Sequence, residues 1–370
     1  MGNYLNHDVR DSGDPRDSGD PGAPRDLVIG LDAGGTRTRA VLATAADGRV
    51  LGESTGGPGN AMTVPAPQLA DHLAEALAQV VPELARARVA AVTGGFAGAT
   101  AASAEDPGTV KARAALTEAL DRLGIPSDRV GVCSDIEAAF AAAPGAPSDG
   151  LALVAGTGAV AMRIAARHAT TTVDGDGWLL GDEGSGFWIG RSAVRAALRM
   201  ADGRGRPTVL AAWVGGTLGL PVDVLPKGGF PSYDRGGTVP PTGTGTPTPG
   251  VPGWERARRE DFRRHLLPAV MADPPIRLAR FAPLVAEAAA EKDAVAVTIL
   301  AEAADHLLAA VRALEPQPGE RIVATGGLLG PRGPLTAPLA ERLHSHGLSL
   351  DWVADGCPGA VALARLAHRS

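Results

Sequence analysis

Two stretches of this chain share one design: a short apolar run, a glycine turn, and a second run that continues beyond it. Leu27-Val-Ile-Gly-Leu-Asp32 leads through Gly34-Gly35-Thr36 into residues that alternate polar and apolar to Thr44. Leu151-Ala-Leu-Val-Ala155 leads through Gly156-Thr157-Gly158 into Ala159 to Ala165. Each stretch predicts strand, tight turn, strand. A chain that repeats such a unit is expected to hold two related domains that face each other. The chain has 370 residues, which also suggests two domains at roughly 100–200 residues each.

Composition narrows the function classes. Hydrophobic residues at 45% and charged residues at 21% are enough to bury two cores. The 35 basic and 41 acidic side chains give a formal charge of −6, and no Lys/Arg run stands out, so nucleic acid is not an expected partner. The two cysteines, Cys133 and Cys357, form no CxxC. That pattern speaks against a structural zinc or an iron–sulfur cluster held by one chain, and it fits a reducing cytoplasm. The acidic, Gly/Pro-rich start has no apolar core of a leader, and no apolar run of about 18 residues is visible, so no membrane partner is expected.

Along the chain, residues 1–25 read as a disordered tail in which Arg10-Asp-Ser-Gly-Asp-Pro15 repeats as Arg16 to Pro21. A first domain is expected over 26–145. Its strands fall at Leu27–Asp32, Thr36–Thr44, Arg49–Glu53, Val89–Thr93 and Val130–Cys133. Its helices fall at Gln68–Val80, Val110–Leu123 and Ile136–Ala143. A second domain over 146–358 opens with the second hairpin and continues with helices at Phe187–Met200, Arg256–Met271, Arg277–Glu291 and Ala294–Leu314. Arg321–Thr325 is its last strand. Residues 220–254, rich in Pro, Gly and Thr, read as a flexible insertion. Gly359–His368 closes the chain as a helix.

Five segments carry chemistry. In Gly30-Leu-Asp-Ala-Gly-Gly-Thr36, backbone N–H groups of the turn can cradle phosphate, the Thr36 hydroxyl can add to them, and Asp32 can hold Mg2+. A strand follows the turn, so this is neither a P-loop nor a dinucleotide fingerprint, both of which require a helix there. Gly156-Thr157-Gly158 offers a second phosphate clamp, and a polyphosphate between two domains needs one from each side. In Cys133-Ser-Asp135-Ile-Glu137, Asp135 sits where a strand meets a helix. It is placed either as a general base or only as an acidic residue favoured by the helix dipole, since Ser134 and Glu137 have the spacing of a capping box. The loop from Gly175 to Gly190 gathers Gly177, Asp182, Glu183 and Ser185; its carboxylates suit sugar hydroxyls, although Asp182 or Ser185 could equally cap the next helix. Gly326-Gly327 after a strand lets a base or ribose approach the backbone. Asn60, in Gly56-Gly-Pro-Gly-Asn60, is a sugar-ligand candidate or a left-handed turn residue.

Taken in order, these motifs resemble the superfamily of sugar kinases, actin and heat-shock ATPases, and within it the N-acetylglucosamine kinase branch. Gly34-Gly-Thr36 is similar to its first phosphate motif, Gly156-Thr-Gly158 to its second, and Gly326-Gly327 to its adenosine motif. Gly177-Trp-Leu-Leu-Gly-Asp-Glu-Gly-Ser185 is the most specific match. The resemblance implies an α/β fold of two actin-like (ribonuclease H-like) domains with a nucleotide cleft between them. It also implies that helix 359–368 packs back on the first domain. Its further implications are ATP and Mg2+ as cofactors, Asp135 as catalytic base, and Asn60, Asp135, Gly177 and Asp182 as binders of an amino sugar. N-acetylglucosamine phosphorylated at its 6-hydroxyl is the expected reaction; glucosamine, an N-acetylmuramic-type sugar and a catalytically silent sensor are the alternatives. A homodimer is one assembly the resemblance allows. Related ATPases that activate hydroxyacyl-CoA dehydratases need clustered cysteines, and the repressor and glucokinase group usually carries a zinc-binding cysteine cluster; neither pattern occurs here. No DNA-binding domain is expected before Leu27. Ala159-Val160 and Ala61-Met62 depart from the polar and aromatic residues usual at those places, both near the expected sugar pocket.

Overall fold

The computed structural model describes residues 25–100, 105–125, 128–227 and 254–369. The expected tail, up to residue 24, and the middle of the expected insertion, 228–253, lie outside the described residues. The first half runs β1 (Leu27–Ala33), β2 (Thr38–Thr44), β3 (Val50–Gly56), α1 (Ala66–Val80), a 3-10 turn (Glu83–Arg88), β4 (Val89–Phe96), α2 (Pro107–Arg122), β5 (Val130–Ser134) and α3 (Asp135–Ala141). Helix α1 buries Leu69, Leu73, Ala76, Leu77 and Val80, the stripe its spacing predicts. Strands β1 and β4 lie inside the sheet and are covered on both faces, which is why they read as unbroken apolar runs.

The second half runs β6 (Gly150–Ala155), β7 (Ala159–Ala165), β8 (His168–Asp174), α4 (Gly177–Leu180), α5 (Gly186–Ala201), α6 (Leu210–Thr217) and α7 (Arg256–Met271). After a 3-10 turn (Pro275–Phe281) come α8 (Ala282–Ala290), α9 (Ala294–Ala313), β9 (Arg321–Thr325), α10 (Thr336–His344), β10 (Ser349–Trp352) and α11 (Cys357–Arg369).

The two sheets have one topology. The first is ordered β3-β2-β1-β4-β5 and the second β10-β9-β6-β7-β8, the same order read from the other end. In each, the opening three strands form an antiparallel meander, and the last two add in parallel to the first strand of the meander. The fold class expected from the hairpin echo, two related α/β halves, is the one observed.

The halves are tied by an exchange of helices. Helix α3 follows the last strand of the first sheet, yet Ala139, Phe140 and Ala143 pack on Ala152, Ile164 and Val323 of the second. Helix α11 follows the last strand of the second sheet, yet Cys357, Val361 and Ala364 pack on Val28, Val41 and Ala91 of the first. The two helices cross at Gly359, where an added Cβ would lie 1.8 Å from Ala138 O. Fully burying a side chain such as Phe140 at this junction contributes about 1.5–3 kcal/mol.

Several elements differ from expectation. Strand β8 and strand β10 were not expected, and Arg321–Thr325 is therefore not the last strand. Both are edge strands with polar or half-exposed residues that lack apolar alternation, and β10 has only 4 residues. The helix expected over Arg277–Glu291 begins as a 3-10 turn and becomes α-helical only at Ala282, with Pro283 in its first turn, where no N–H is needed. The ends of the expected flexible insertion are core: Leu220, Val224, Leu225 and Trp254 are buried, and Trp254 Nε1 donates to Val224 O at 2.9 Å. Contrary to the expectation of no long apolar run, α9 is long and apolar enough to cross a membrane. Its apolar stripe is already occupied: Ala296, Ile299, Leu300, Ala303, Leu307 and Val311 lie in the second core.

Candidate active site

The junctions where strands end and helices begin converge between the two halves. A cavity of about 220 Å³ is lined there by Asp32, Gly34, Thr36, Arg39, Asp135 and Asp355, together with Val154 and Thr325 from the second sheet. Three carboxylates from three chain segments thus share one cleft.

Asp32 stands near the end of β1. Its Oδ2 accepts from Gly356 N at 3.0 Å. Burial pushes its carboxyl up; the Gly356 N–H opposes this, and the charge on Asp355 adds to it. Asp135 opens α3 but does not cap it. Ser134 is the cap: its Oγ accepts from Glu137 N at 3.1 Å, and Glu137 Oε2 accepts from Ser134 N at 2.8 Å. The capping box is therefore present and leaves the Asp135 side chain for the cleft. Burial, and then the neighbouring Asp32, push the Asp135 carboxyl up to about 6. Glu137 also ties the halves together, since its Oε1 accepts from Ala169 N at 2.8 Å in β8.

The glycine turns sit as follows. Gly34 N donates to Arg37 O at 3.0 Å, closing the first turn and leaving Gly35 and Thr36 exposed. Gly156 N donates to Gly158 O at 2.9 Å, closing the second, with Thr157 exposed. The start of α5 docks on this second turn, Gly186 N donating to Gly156 O at 2.8 Å and Phe187 N to Thr157 O at 3.1 Å. Gly326 has φ +102°, and an added Cβ would come within 2.3 Å of Ala155 O, so this turn lies against the strand that feeds the second glycine turn. Gly327 is exposed beside it.

Of the expected sugar residues, Asp135 lines the cavity, whereas Asn60, Gly177 and Asp182 do not. Asn60 is not a left-handed turn residue. Its Oδ1 accepts from Met62 N at 2.8 Å and Thr63 N at 3.0 Å, capping the turn after it. Gly177 starts the one-turn α4 with φ +81°. Ser185, not Asp182, caps α5, accepting from Trp188 N at 3.2 Å. Asp182 turns back instead, and its Oδ1 accepts from Ala159 N at 3.0 Å, just after the second glycine turn. Burial pushes the Asp182 carboxyl up; the Ala159 N–H opposes this, and Asp174 and Asp176 reinforce it.

Two acidic residues, Asp355 and Asp174, escaped the sequence reading. Asp355, between β10 and α11, forms an ion pair with Arg39 and accepts from Cys357 N at 2.9 Å. One ligand atom each of Asp32, Asp355 and Cys357 lie within 4.8 Å of one another. Asp174 holds the acidic loop, accepting from Asp182 N at 2.6 Å and Glu183 N at 2.8 Å. The usable signal for Asp355 was the duplication itself: Asp355-Gly356-Cys357 stands in the second half where Ser134-Asp135 stands in the first.

The comparisons with known proteins agree with this layout. Residues 29–337 match the BadF/BadG/BcrA/BcrD ATPase family. An N-acetylmuramic acid/N-acetylglucosamine kinase of Clostridium acetobutylicum is 30% identical over 185 residues, 50% of this chain and 57% of that protein. The match thus spans little more than half the length of this curated relative. A candidate N-acetylglucosamine kinase of Chromobacterium violaceum superposes with a TM-score of 0.61 at 21% identity, covering 92% of this chain and 100% of its own. One from Porphyromonas gingivalis gives 0.61 at 19% identity, covering 92% and 99%. These two share the doubled-sheet fold. With the family match covering most of its length, the chain belongs to the BadF/BadG/BcrA/BcrD ATPase family.

Proposed function

We propose that the chain is an ATP-dependent sugar kinase whose acceptor is an amino sugar, with the 6-hydroxyl of N-acetylglucosamine as the preferred site. One observation carries this reading: Asp135 lines the cleft beside Asp32 with its carboxyl pushed up to about 6. A general base must be ionised at working pH and still accept a proton, and a value near 6 meets both needs. In the proposed step, Asp135 takes the proton of the sugar hydroxyl as that oxygen attacks the γ-phosphorus of ATP. The bond from phosphorus to the bridging oxygen breaks, and ADP leaves.

Asp32 is the residue proposed to hold Mg2+, with Asp355 beside it. Two carboxylates crowded together suit a hard cation, whereas burial pushes the Cys357 thiol up and keeps it a poor ligand for one. Bound Mg2+ would supply charge neutralisation on the phosphates. The turn of Gly34, Gly35 and Thr36, in which Gly35 and Thr36 are exposed, supports phosphate binding from one side, and the turn of Gly156, Thr157 and Gly158, in which Thr157 is exposed, supports it from the other. Gly326 and Gly327 are proposed for the adenosine.

Asn60, Gly177 and Asp182 are proposed as sugar binders that reach the acceptor when the halves approach. The name of the Clostridium acetobutylicum relative carries both N-acetylmuramic acid and N-acetylglucosamine, which supports an N-acetylated acceptor. Two free thiols, Cys133 and Cys357, support a reducing, cytoplasmic setting. A panel of amino sugars and plain hexoses with ATP and Mg2+, followed by ADP release, tests the proposal. Stimulation by N-acetylglucosamine above glucose is the expected result. No stimulation by any sugar would leave a catalytically silent sensor instead.

A further inference from the structure

A second cavity is larger than the cleft that holds Asp135. It measures about 450 Å³ and lies between α5 and the first turns of α9, bordered by the loop after α5. Its charge is unlike that of the rest of the chain. Arg195 and Arg199 from α5 and Arg204 and Arg206 from the loop line it, against one acidic residue, Glu302. The chain as a whole carries −6.

Local stability does not explain this cluster. Arg195 and Arg199 stand four apart on one helix face, an arrangement of like charges that weakens a helix. Only Arg204 is neutralised, by Asp202, whose Oδ2 lies 3.0 Å from its Nε. Arg195, Arg199 and Arg206 form no ion pair among the described residues. The loop backbone is tied to the helix: Gly205 N and Arg204 N both donate to Arg199 O, at 2.7 and 2.9 Å, which keeps the loop that carries Arg204 and Arg206 beside the end of α5. Ser192, one turn before Arg195, adds a hydroxyl, and Val295 and Ile299 of α9 form an apolar wall.

We propose that this cavity binds a small phosphorylated metabolite of hexose-phosphate size. Three unpaired guanidinium groups on two segments suit the oxygens of a phosphate, which arginine binds through paired N–H groups. The hydroxyl and the apolar wall suit a carbon skeleton attached to it. A volume of about 450 Å³ accommodates such a ligand and is small for a protein segment. No run of basic residues in the sequence announces the site, because the fold assembles it from a helix face and a returning loop. Helix α5 also docks its start on the Gly156–Gly158 turn, so a ligand here is positioned to influence that turn. This last consequence rests on the kinase reading, whereas the binding itself does not.

The test is calorimetric titration of the full chain with fructose 6-phosphate and with inorganic phosphate, with and without saturating ATP and Mg2+. One equivalent of fructose 6-phosphate should bind in both conditions, more tightly than inorganic phosphate. The double variant Arg195→Ser, Arg199→Ser should bind it at least about tenfold more weakly. Should that variant lose its native melting temperature, Arg206→Ser alone serves the same purpose. Glu302→Gln should bind more tightly than wild type, a gain that misfolding cannot produce. Equal affinity in a well-folded arginine variant, displacement of the sugar phosphate by ATP and Mg2+, or no binding to the wild type would overturn the proposal. None of these results bears on whether a sugar stimulates ADP release, so the two proposals fail separately.

Discussion

The same junction occurs twice in this molecule, and the two copies differ in one respect. After β5, the chain turns into α3 with Asp135 at the helix start; after β10, it turns into α11 with Asp355 just before the helix. Both carboxylates face the cleft beside Asp32. Asp355 is neutralised by Arg39 and spends its other oxygen on Cys357 N. The strongest charges acting on Asp135 are carboxylates, Asp32 above all, and its carboxyl is pushed up to about 6. The scaffold is thus symmetric, while one copy is paired and the other stands among like charges, the difference on which the proposed division into a holding and a chemical role rests.

The largest effect should come from removing the unpaired member. Asp135→Asn is expected to lower turnover by at least ~10²-fold, the lower end of general-base contributions. The fold should not suffer. A carboxyl raised from its ordinary 3.8 to about 6 stabilises the fold below 3.8, and that stabilisation is lost as pH rises through 6. The ionised form therefore costs stability at neutral pH. The helix dipole favours a charge at this position by only about 0.3–1 kcal/mol, and burial beside Asp32 outweighs it. Melting curves should show Asp135→Asn at or above wild type at pH 7.5 and without that advantage at pH 4. A drop at pH 7.5 would return Asp135 to a purely structural role.

Asp32→Asn comes next. It should lower turnover on the order of 10²-fold while leaving sugar affinity nearly unchanged, if the carboxylate acts as proposed on the phosphates and their cation. Steady-state kcat and sugar KM measured separately decide this, and a KM effect with normal kcat would contradict it. Asp355→Asn tests the paired copy. Its partner Arg39 is partly exposed, so the ion pair contributes about 1 kcal/mol, and the melting temperature should fall by about 2 °C with turnover reduced less than tenfold. A loss as large as that of Asp135→Asn would erase the contrast between the copies. The smallest effect is expected from shortening the chain within residues 238–250. Turnover and melting temperature should stay near wild type provided that Leu225 and Trp254, both buried, are kept.

Much of this was visible in the sequence, for definite reasons. Asp32, Gly34 and Thr36 stand at the end of the buried β1 and Asp135 at the end of the half-buried β5, whose apolar residues mark where the chain must turn, and the fold brings these four into one cavity. Asp355 was invisible because β10 is four residues long with a half-exposed edge, so no strand signal announced the junction. The acidic loop was legible as a cluster but not in its wiring. That Ser185 caps α5 while Asp182 reaches Ala159 N depends on where β7 lies, a tertiary fact. The exchange of α3 and α11 between sheets likewise has no local signature beyond Gly359, whose need for close approach appears only when Ala138 is in place. The arginine cavity belongs with these, being made of residues that look solvated one at a time.

The central claim is that the unpaired carboxylate of the first junction acts as the base. The most direct test is kcat/KM for N-acetylglucosamine, with ATP and Mg2+ saturating, from pH 5 to pH 8 in wild type and Asp135→Asn. If Asp135 is the base, only its ionised form works. Wild-type activity should then rise about tenfold per pH unit below 6 and level off above it. The residual activity of the variant should show no such step. A wild-type profile flat through pH 6, or the same step retained in Asp135→Asn, would contradict the account.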